Sequence, residues 1–104
     1  MLFEWDEEKY NTNIKKHGIR FEVAAKVFFD KNRIEKIDTK HSSSEEERYI
    51  TIGMVEKVLF VSYTERAYSI RLISARKAEK EEIDEYYKNN DVRRNKELPF
   101  NGRR

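Results

Sequence analysis

Arginine, tyrosine and glutamate side chains recur along and beside the segments that the sequence predicts as strands. Arg48 opens one such strand, Arg71 lies within another, and Arg76 and Lys77 stand at its end. Tyr63 lies late in the strand between them. Guanidinium groups form paired hydrogen bonds with phosphate oxygens and stay charged at any pH. The set therefore favours binding of a phosphodiester, although a single strand arginine is more often a solvated residue paired with a carboxylate.

One reaction that such a set supports needs no metal ion. An RNA 2′-hydroxyl can attack the adjacent phosphate when a base takes its proton and positive groups stabilise the developing charge. His17 and Glu47 are the candidate bases, although another member of the Glu45-Glu46-Glu47 run could serve as well. Tyr63 could position the substrate or donate to the leaving oxygen. His17 fits a purely structural role at a helix C-terminus equally well. The identity of the base stays open at this point.

The residues that other classes of site require are scarce. The chain has no cysteine, which excludes disulfides and thiolate zinc sites, and its two histidines, His17 and His41, lie far apart in sequence. No pair of ligands has the spacing of a metal site on a helix. The three glycines form neither a phosphate-binding loop nor a Gly-x-Ser-x-Gly turn. We therefore expect neither a metal ion nor a cofactor.

The charge of the chain is nearly balanced, with 22 lysines and arginines against 20 aspartates and glutamates. The basic excess lies from Lys88 onward, so residues 1–87 are slightly acidic and any anion site in them must be local. Aromatic residues make up 12%, which is unlike a disordered chain. No apolar run approaches the ~20 residues of a membrane span, and the acidic N-terminal sequence is unlike a signal peptide. We expect a cytoplasmic protein that does not bind membranes.

Periodicity predicts two helices, then four strands, then a third helix. Asp6 is suited to cap the first helix and Gly18 to end it. The predicted ranges are helices at about 7–17, 21–30 and 79–88, and strands at 33–38, 48–55, 58–64 and 68–75. The short links between strands imply antiparallel pairs. The expected fold is α+β, with an antiparallel four-stranded sheet that has helices on one face and leaves the other face free for function.

The chain length predicts a single domain, which we place at residues 1–88. Residues 89–104 contain few apolar residues and many basic ones, and we expect them to form a disordered tail. The expected core consists of seven apolar residues on inward faces: Trp5, Phe21, Phe28, Ile50, Ile52, Phe60 and Ile73.

Six short motifs occur in a fixed order along this body. They are Phe3-Glu4-Trp5-Asp6, Lys16-His17-Gly18-Ile19, Phe21-Glu22-Val23-Ala24, Val27-Phe28-Phe29-Asp30, Glu46-Glu47-Arg48-Tyr49 and Ile73-Ser74-Ala75-Arg76-Lys77-Ala78. Over about residues 3–87 the chain resembles the BrnT family of toxins from type II toxin–antitoxin modules. The resemblance implies a RelE-like ribonuclease fold, an RNA substrate, and neutralisation by a BrnA-like antitoxin. Such an antitoxin carries a ribbon-helix-helix segment, so DNA would be contacted only through it, in a complex that represses its own operon.

The resemblance and the polar pattern together give one set of candidate site residues. The catalytic candidates are His17, Glu47, Arg48, Tyr63, Arg71 and Arg76. The candidates for further RNA contacts are Lys16, Arg66 and Lys77. The alternative hypothesis is a module without catalytic activity, whose role is to bind a partner within a repressor complex.

Overall fold

The computed structural model describes residues 1–97 of the chain, with side chains described for residues 1–90. The elements in chain order are β1 (Phe3–Trp5), α1 (Glu7–His17), α2 (Phe21–Ala24), a 3-10 helix (Ala25–Phe29), β2 (Ile34–Ile37), β3 (Arg48–Val55), β4 (Lys57–Glu65), β5 (Ile70–Lys77) and α3 (Lys80–Glu97). The α+β class and the order of the predicted helices are therefore confirmed.

The sheet has five strands in the order β1-β5-β4-β3-β2. Strands β2 to β5 pair antiparallel with their neighbours, whereas β1 pairs parallel to β5, with Phe3 opposite Ile70 and Trp5 opposite Leu72. The predicted four-stranded antiparallel sheet is therefore wrong, because the sheet is mixed and has a fifth strand. With only three residues, β1 is too short to show a period of two.

Helices cover parts of both faces of the sheet. We call the face with Leu59, Val61 and Tyr63 of β4 the inner face, and the opposite face, with Val58 and Phe60, the outer face. On the inner face, α2 and the 3-10 helix bury four side chains against the strands: Phe21, Ala24, Val27 and Phe28. On the outer face, Ile83 and Tyr86 of α3 pack against Ile52, Val58 and Phe60. The prediction that all helices lie on one face is therefore wrong, and α3 leaves only part of the outer face open.

The predicted caps of α1 are confirmed. The Asp6 carboxylate accepts a hydrogen bond of 3.1 Å from the Lys9 N–H. Gly18 has a φ of +69°, and its N–H donates to the Ile14 carbonyl at 2.8 Å. Glycine adopts this left-handed conformation without the penalty that a Cβ atom adds. These two residues fix where α1 begins and ends.

Asn13 joins α1 to the edge of β5 beyond the end of β1. Its side-chain NH₂ donates to the Ala75 carbonyl and its side-chain oxygen accepts from the Ala75 N–H, both at 2.9 Å. The NH₂ group also donates to the Ile19 carbonyl at 2.9 Å. Because β1 pairs with β5 only as far as Leu72, the Asn13 amide satisfies backbone groups that no strand reaches. This contact holds the end of α1 against β5.

The predicted core is confirmed for most of its members. Phe21, Phe28 and Ile52 are buried. Trp5, Ile50 and Phe60 are partly buried and pack against the two core clusters. Ile73 belongs to neither cluster and lies at the edge of β5.

The last helix extends beyond its predicted end. We predicted that it stops at residue 88, whereas α3 runs from Lys80 to Glu97. Residues 98–104 of the predicted tail lie outside the described residues, and the division into a domain and a disordered tail stays a prediction. None of the described helices is both long and apolar enough to span a membrane.

Asp30 joins α3 to the rest of the molecule. Its carboxylate accepts hydrogen bonds from the Tyr86 hydroxyl at 2.6 Å and from the N–H groups of Met54 and Asn32 at 2.8 and 2.9 Å. Burial alone would raise the pKa of Asp30, but these hydrogen bonds outweigh it and hold the pKa below its ordinary value. Burial and the contact with Asp30 raise the pKa of Tyr86 to about 12.

We expect acid to weaken the attachment of α3. Because the folded-state pKa of Asp30 is lowered, its stabilisation is complete above the ordinary value of 3.8 and is lost as the pH falls through the folded value. Tyr86→Phe should cost about 1.5–3 kcal/mol at pH 7, since it removes a hydrogen bond to a charged group, and less at pH 3. Tyr87→Phe is the control, because Tyr87 is 50% exposed. Urea unfolding at both pH values measures the free energy of unfolding of each variant. Equal losses of stability in Tyr86→Phe and Tyr87→Phe would contradict the expectation.

Candidate active site

Three of the predicted arginines project from the outer face of the sheet. Arg48 of β3 and Arg71 of β5 both lie opposite Thr64 of β4. Because neighbouring strands are about 4.8 Å apart, the backbones of Arg48 and Arg71 are separated by about 10 Å. Arg76 lies opposite Phe60, which is about 13 Å from Thr64 along the strand. We call the outer-face surface formed by Arg48, Thr64, Arg71 and Arg76 the arginine face.

A β-bulge puts Arg71 and Arg76 on the same face. Ser74 lies opposite Ser62, and Ile73 has no partner on β4. In a regular strand, side chains five residues apart project to opposite faces, and one extra residue reverses this. The bulge therefore brings together two arginines that a regular alternation would separate.

Arg76 is held by the first turn of α3. Its two terminal nitrogens donate hydrogen bonds to the Glu82 carboxylate, both at 2.9 Å. Its guanidinium lies over the Phe60 ring, 3.8 Å from the centroid. The hydrogen bond to Glu82 raises the pKa of Arg76. Burial would raise the pKa of Glu82, but hydrogen bonds from Arg76 and from the Glu79 N–H lower it overall.

The other arginines of this region also have carboxylate partners. Arg71 donates to Glu4 of β1 at 3.1 Å. Glu46, just before β3, lies 3.5 Å from the Arg48 Nε and 3.3 Å from an Arg66 nitrogen. Arg66 thus lies beside Arg48, and its predicted contact with RNA stays a prediction. All of these side chains are partly exposed, and exposed ion pairs contribute little to stability, so a phosphate could replace the carboxylates.

Tyr63 is not part of the arginine face. It lies on the inner face, is 2% exposed, and packs edge to face against Phe28 with ring centroids 4.9 Å apart. Its hydroxyl donates to Glu35 at 3.0 Å. Burial and the charge of Glu35 raise the pKa of Tyr63 well above its usual range. This position is on the opposite face from the arginines, so Tyr63 does not lie next to a phosphate that they could bind.

Glu47 lines a small cleft that also includes Glu46 and Arg66, but in the described residues no hydrogen bond or ion pair joins its carboxylate to an arginine. Its carboxylate accepts a hydrogen bond of 2.8 Å from the hydroxyl of Tyr49, whose ring stacks on Tyr63 of the inner face. The carboxylate that contacts Arg48 is that of the preceding residue, Glu46. The sequence analysis chose Glu47 rather than Glu46 from the same run, although the alternation of side chains along a strand separates Arg48 from its immediate neighbours.

His17, Lys16 and Lys77 lie at the side of the sheet. His17 and Lys16 line a cleft of about 410 Å³ between α1 and the edge of β5, which also includes Ser74. Lys77 lies opposite Leu59 and therefore on the inner face, whereas its neighbour Arg76 is on the outer face. Lys16 and His17 are thus beside the arginine face, and Lys77 is behind it.

The sequence analysis also missed the two carboxylates that hold Arg71 and Arg76. Glu82 is three residues after Glu79 and accepts its N–H, which is one half of a capping box and a pattern visible in the sequence. Glu4 could not be found without β1, which places it directly opposite Arg71. In the described residues, no three His, Asp or Glu side chains are grouped so that they could hold a metal ion.

Comparison with known proteins finds similarity both in sequence and in structure. The sequence model of the family described as "Ribonuclease toxin, BrnT, of type II toxin-antitoxin system" matches residues 5–82. The chain is also similar to the crystal structure of the Brucella abortus ribonuclease toxin BrnT, with 25% sequence identity and a TM-score of 0.57. That match covers 77% of this chain and 100% of the other. No curated protein sequence is significantly similar to the chain.

Proposed function

Because the chain belongs to the BrnT family of ribonuclease toxins of type II toxin–antitoxin systems, we propose that it cleaves RNA on the arginine face. The observation that carries this assignment is that Arg48, Arg71 and Arg76 project from one face of the sheet. Arg48 and Arg71, about 10 Å apart across the strands, can reach one phosphate from its two sides, and Arg76, about 13 Å away along the strand, can reach a neighbouring phosphate of the same RNA strand. Arg66, beside Arg48, extends the same surface.

The proposed reaction is attack of the 2′-hydroxyl on the adjacent phosphate. The 2′-oxygen forms a bond to phosphorus and gives its proton to a carboxylate, while the bond to the 5′-oxygen breaks and that oxygen takes a proton from solvent. Glu46 is the carboxylate that we place in the role of base, since it lies within 3.5 Å of Arg48. Arg48 and Arg71 would stabilise the charge that develops on the phosphate. The products are a 2′,3′-cyclic phosphate and a 5′-hydroxyl, and no metal ion takes part.

The family implies an antitoxin partner. We propose that this partner is BrnA-like, with a ribbon-helix-helix segment, and that it neutralises the toxin and makes the DNA contacts of a complex that represses the operon. The proposal includes action in the cytoplasm. The RelE-like character of the fold and of the chemistry, expected from the resemblance, stays a proposal as well.

A second candidate function is partner binding without catalysis. One observation favours it, namely that each of the four arginines near the site already pairs with a glutamate of the same chain. Such pairs would persist if the surface served only as a scaffold. The two hypotheses differ in what the isolated chain does to RNA.

Expression in a bacterial host tests the proposed function. We expect the wild-type chain to arrest growth and fragment cellular RNA, and co-expression of the antitoxin to restore growth. The double variant Arg48→Ala/Arg76→Ala should accumulate as a folded protein without arresting growth, because the RNA then loses two charged contacts to its phosphates. Growth arrest by this double variant, or arrest by the wild type without RNA fragments, would contradict the assignment.

A further inference from the structure

A second concave surface lies on the inner side of the sheet, away from the arginine face. It is a groove of about 450 Å³ between the end of α1, the start of α2 and the turn that joins β3 to β4. We call it the hairpin groove. Two residues that the sequence analysis assigned to the ribonuclease site line this groove: Lys77, and His17, which also lines the cleft beside the arginine face.

The wall of the hairpin groove is largely apolar. Ile19, Val23, Val55 and Leu59 line it. Leu59 is buried beneath the groove, whereas Val23 is 38% exposed although it lies on a helix that packs on the core. Apolar side chains of a partner could cover these residues and remove them from water. A ribose-phosphate backbone would have no such gain.

The margin of the groove carries more positive than negative charge. Arg20, Lys57 and Lys77 line it, and Glu56 is its one acidic lining residue. Arg20 is near a carboxylate, that of Glu22 at 3.7 Å. Within the described residues, neither Lys57 nor Lys77 forms an ion pair. In contrast, all four arginines near the arginine face are paired within the chain. Two unpaired lysines beside an apolar wall fit an acidic peptide that also carries apolar side chains.

We propose that the hairpin groove binds an acidic segment of the antitoxin, with apolar side chains between its carboxylates. This inference rests on the antitoxin partner of the proposed function. The apolar side chains would cover Val23 and Val55, and the carboxylates would pair with Lys57 and Lys77. Because the groove and the arginine face lie on opposite sides of the sheet, binding of the antitoxin and cleavage of RNA should respond to different substitutions.

Charge reversal in the groove tests this proposal. The probe is the purified antitoxin encoded beside this chain, and its Kd for the toxin is measured by titration calorimetry. Lys57→Glu/Lys77→Glu should raise the Kd at least about tenfold, because two favourable charge contacts become repulsive. The matched control is Lys15→Glu/Lys26→Glu, which reverses two exposed lysines that line no part of the groove. The control should leave the Kd within about threefold of the wild type.

A second pair of variants tests the apolar wall. Val23→Asp should raise the Kd by a similar factor, and Val23→Leu should retain the wild-type Kd, since it keeps an apolar surface. Circular dichroism and thermal unfolding check that each variant is folded. If Lys57→Glu/Lys77→Glu does not fold, Lys57→Gln/Lys77→Gln takes its place and should raise the Kd by a smaller factor.

Measurement of RNA affinity and cleavage with the same variants separates this inference from the proposed function. We expect both to match the wild type for Lys57→Glu/Lys77→Glu. An unchanged affinity of that variant for the antitoxin overturns the inference. If the same variant also loses affinity for RNA, the groove is a nucleic-acid site. A wild-type chain that binds antitoxin through the groove but never cleaves RNA would contradict only the proposed ribonuclease activity.

Discussion

Arg76→Ala should lower the rate of RNA cleavage by about 10²-fold, because Arg76 holds the phosphate next to the reacting one and a small misplacement of the reacting groups has an effect of this size. Arg76 belongs to the arginine face, and its guanidinium is held in place by the Glu82 carboxylate and the Phe60 ring. A phosphate that displaces Glu82 would meet a guanidinium that is already oriented. The initial rate of cleavage of a labelled single-stranded RNA by the purified chain measures the effect.

The neighbouring residue provides the control for this experiment. Lys77→Ala removes one positive charge from the same strand end, but Lys77 lies on the inner face. Lys77→Ala should leave the cleavage rate within about twofold of the wild type, because Lys77 does not belong to the arginine face. Arg76→Ala also leaves Glu82 without its partner, so Glu82→Gln is measured beside it. Equal losses for Arg76→Ala and Lys77→Ala would show that net charge rather than the arginine face controls the rate.

Phe28→Ala should lower the free energy of unfolding by about 3–5 kcal/mol. The Phe28 side chain is 6% exposed and contacts two other aromatic rings, those of Phe3 at 5.4 Å and Tyr63 at 4.9 Å between centroids. Its removal leaves a cavity between the 3-10 helix and the inner face. Phe29→Ala deletes the same atoms at a site that is 72% exposed and should change the free energy by less than about 0.5 kcal/mol. Urea unfolding measures both, and similar values would contradict the assignment of faces.

Local signals in the sequence predicted most of the fold. The bounds of α1 follow from a side-chain cap at Asp6 and a left-handed glycine at Gly18, which act within one turn of the helix. The faces of β3 follow from alternation, since Ile50 and Ile52 pack under α3 while Tyr49 packs on the inner face. Each of these features depends on residues close together in the chain.

The features that sequence reasoning missed depend on distant residues. Strand β1 exists because Phe3 and Trp5 meet Ile70 and Leu72, and its three residues carry no pattern of their own. The bulge at Ile73 shows no signal in the sequence, yet it decides that Arg71 and Arg76 share a face. A parallel partner and a bulge both become visible only once the strands are paired.

The types of residue in the candidate site could be predicted from the sequence, but not which individual residues lie together. Alternation along a strand separates Arg76 from Lys77 and Arg48 from Glu47, and strict use of it would have removed Lys77 and Glu47 from the set. The burial of Tyr63 beneath the 3-10 helix could not be read in the same way, because alternation does not say which face a helix will cover. The residue types indicated the chemistry, whereas the pairing of β1 with β5 was needed to place Glu4 beside Arg71.

Cleavage of RNA by the purified chain, without antitoxin and in the presence of EDTA, tests the central claim most directly. The proposed mechanism predicts that the wild type cleaves single-stranded RNA under these conditions and leaves 2′,3′-cyclic phosphate ends, which mass spectrometry identifies. It also predicts that folded Arg48→Ala/Arg76→Ala is inactive. Cleavage that EDTA abolishes, products without the cyclic phosphate, or full activity in the double variant would contradict it.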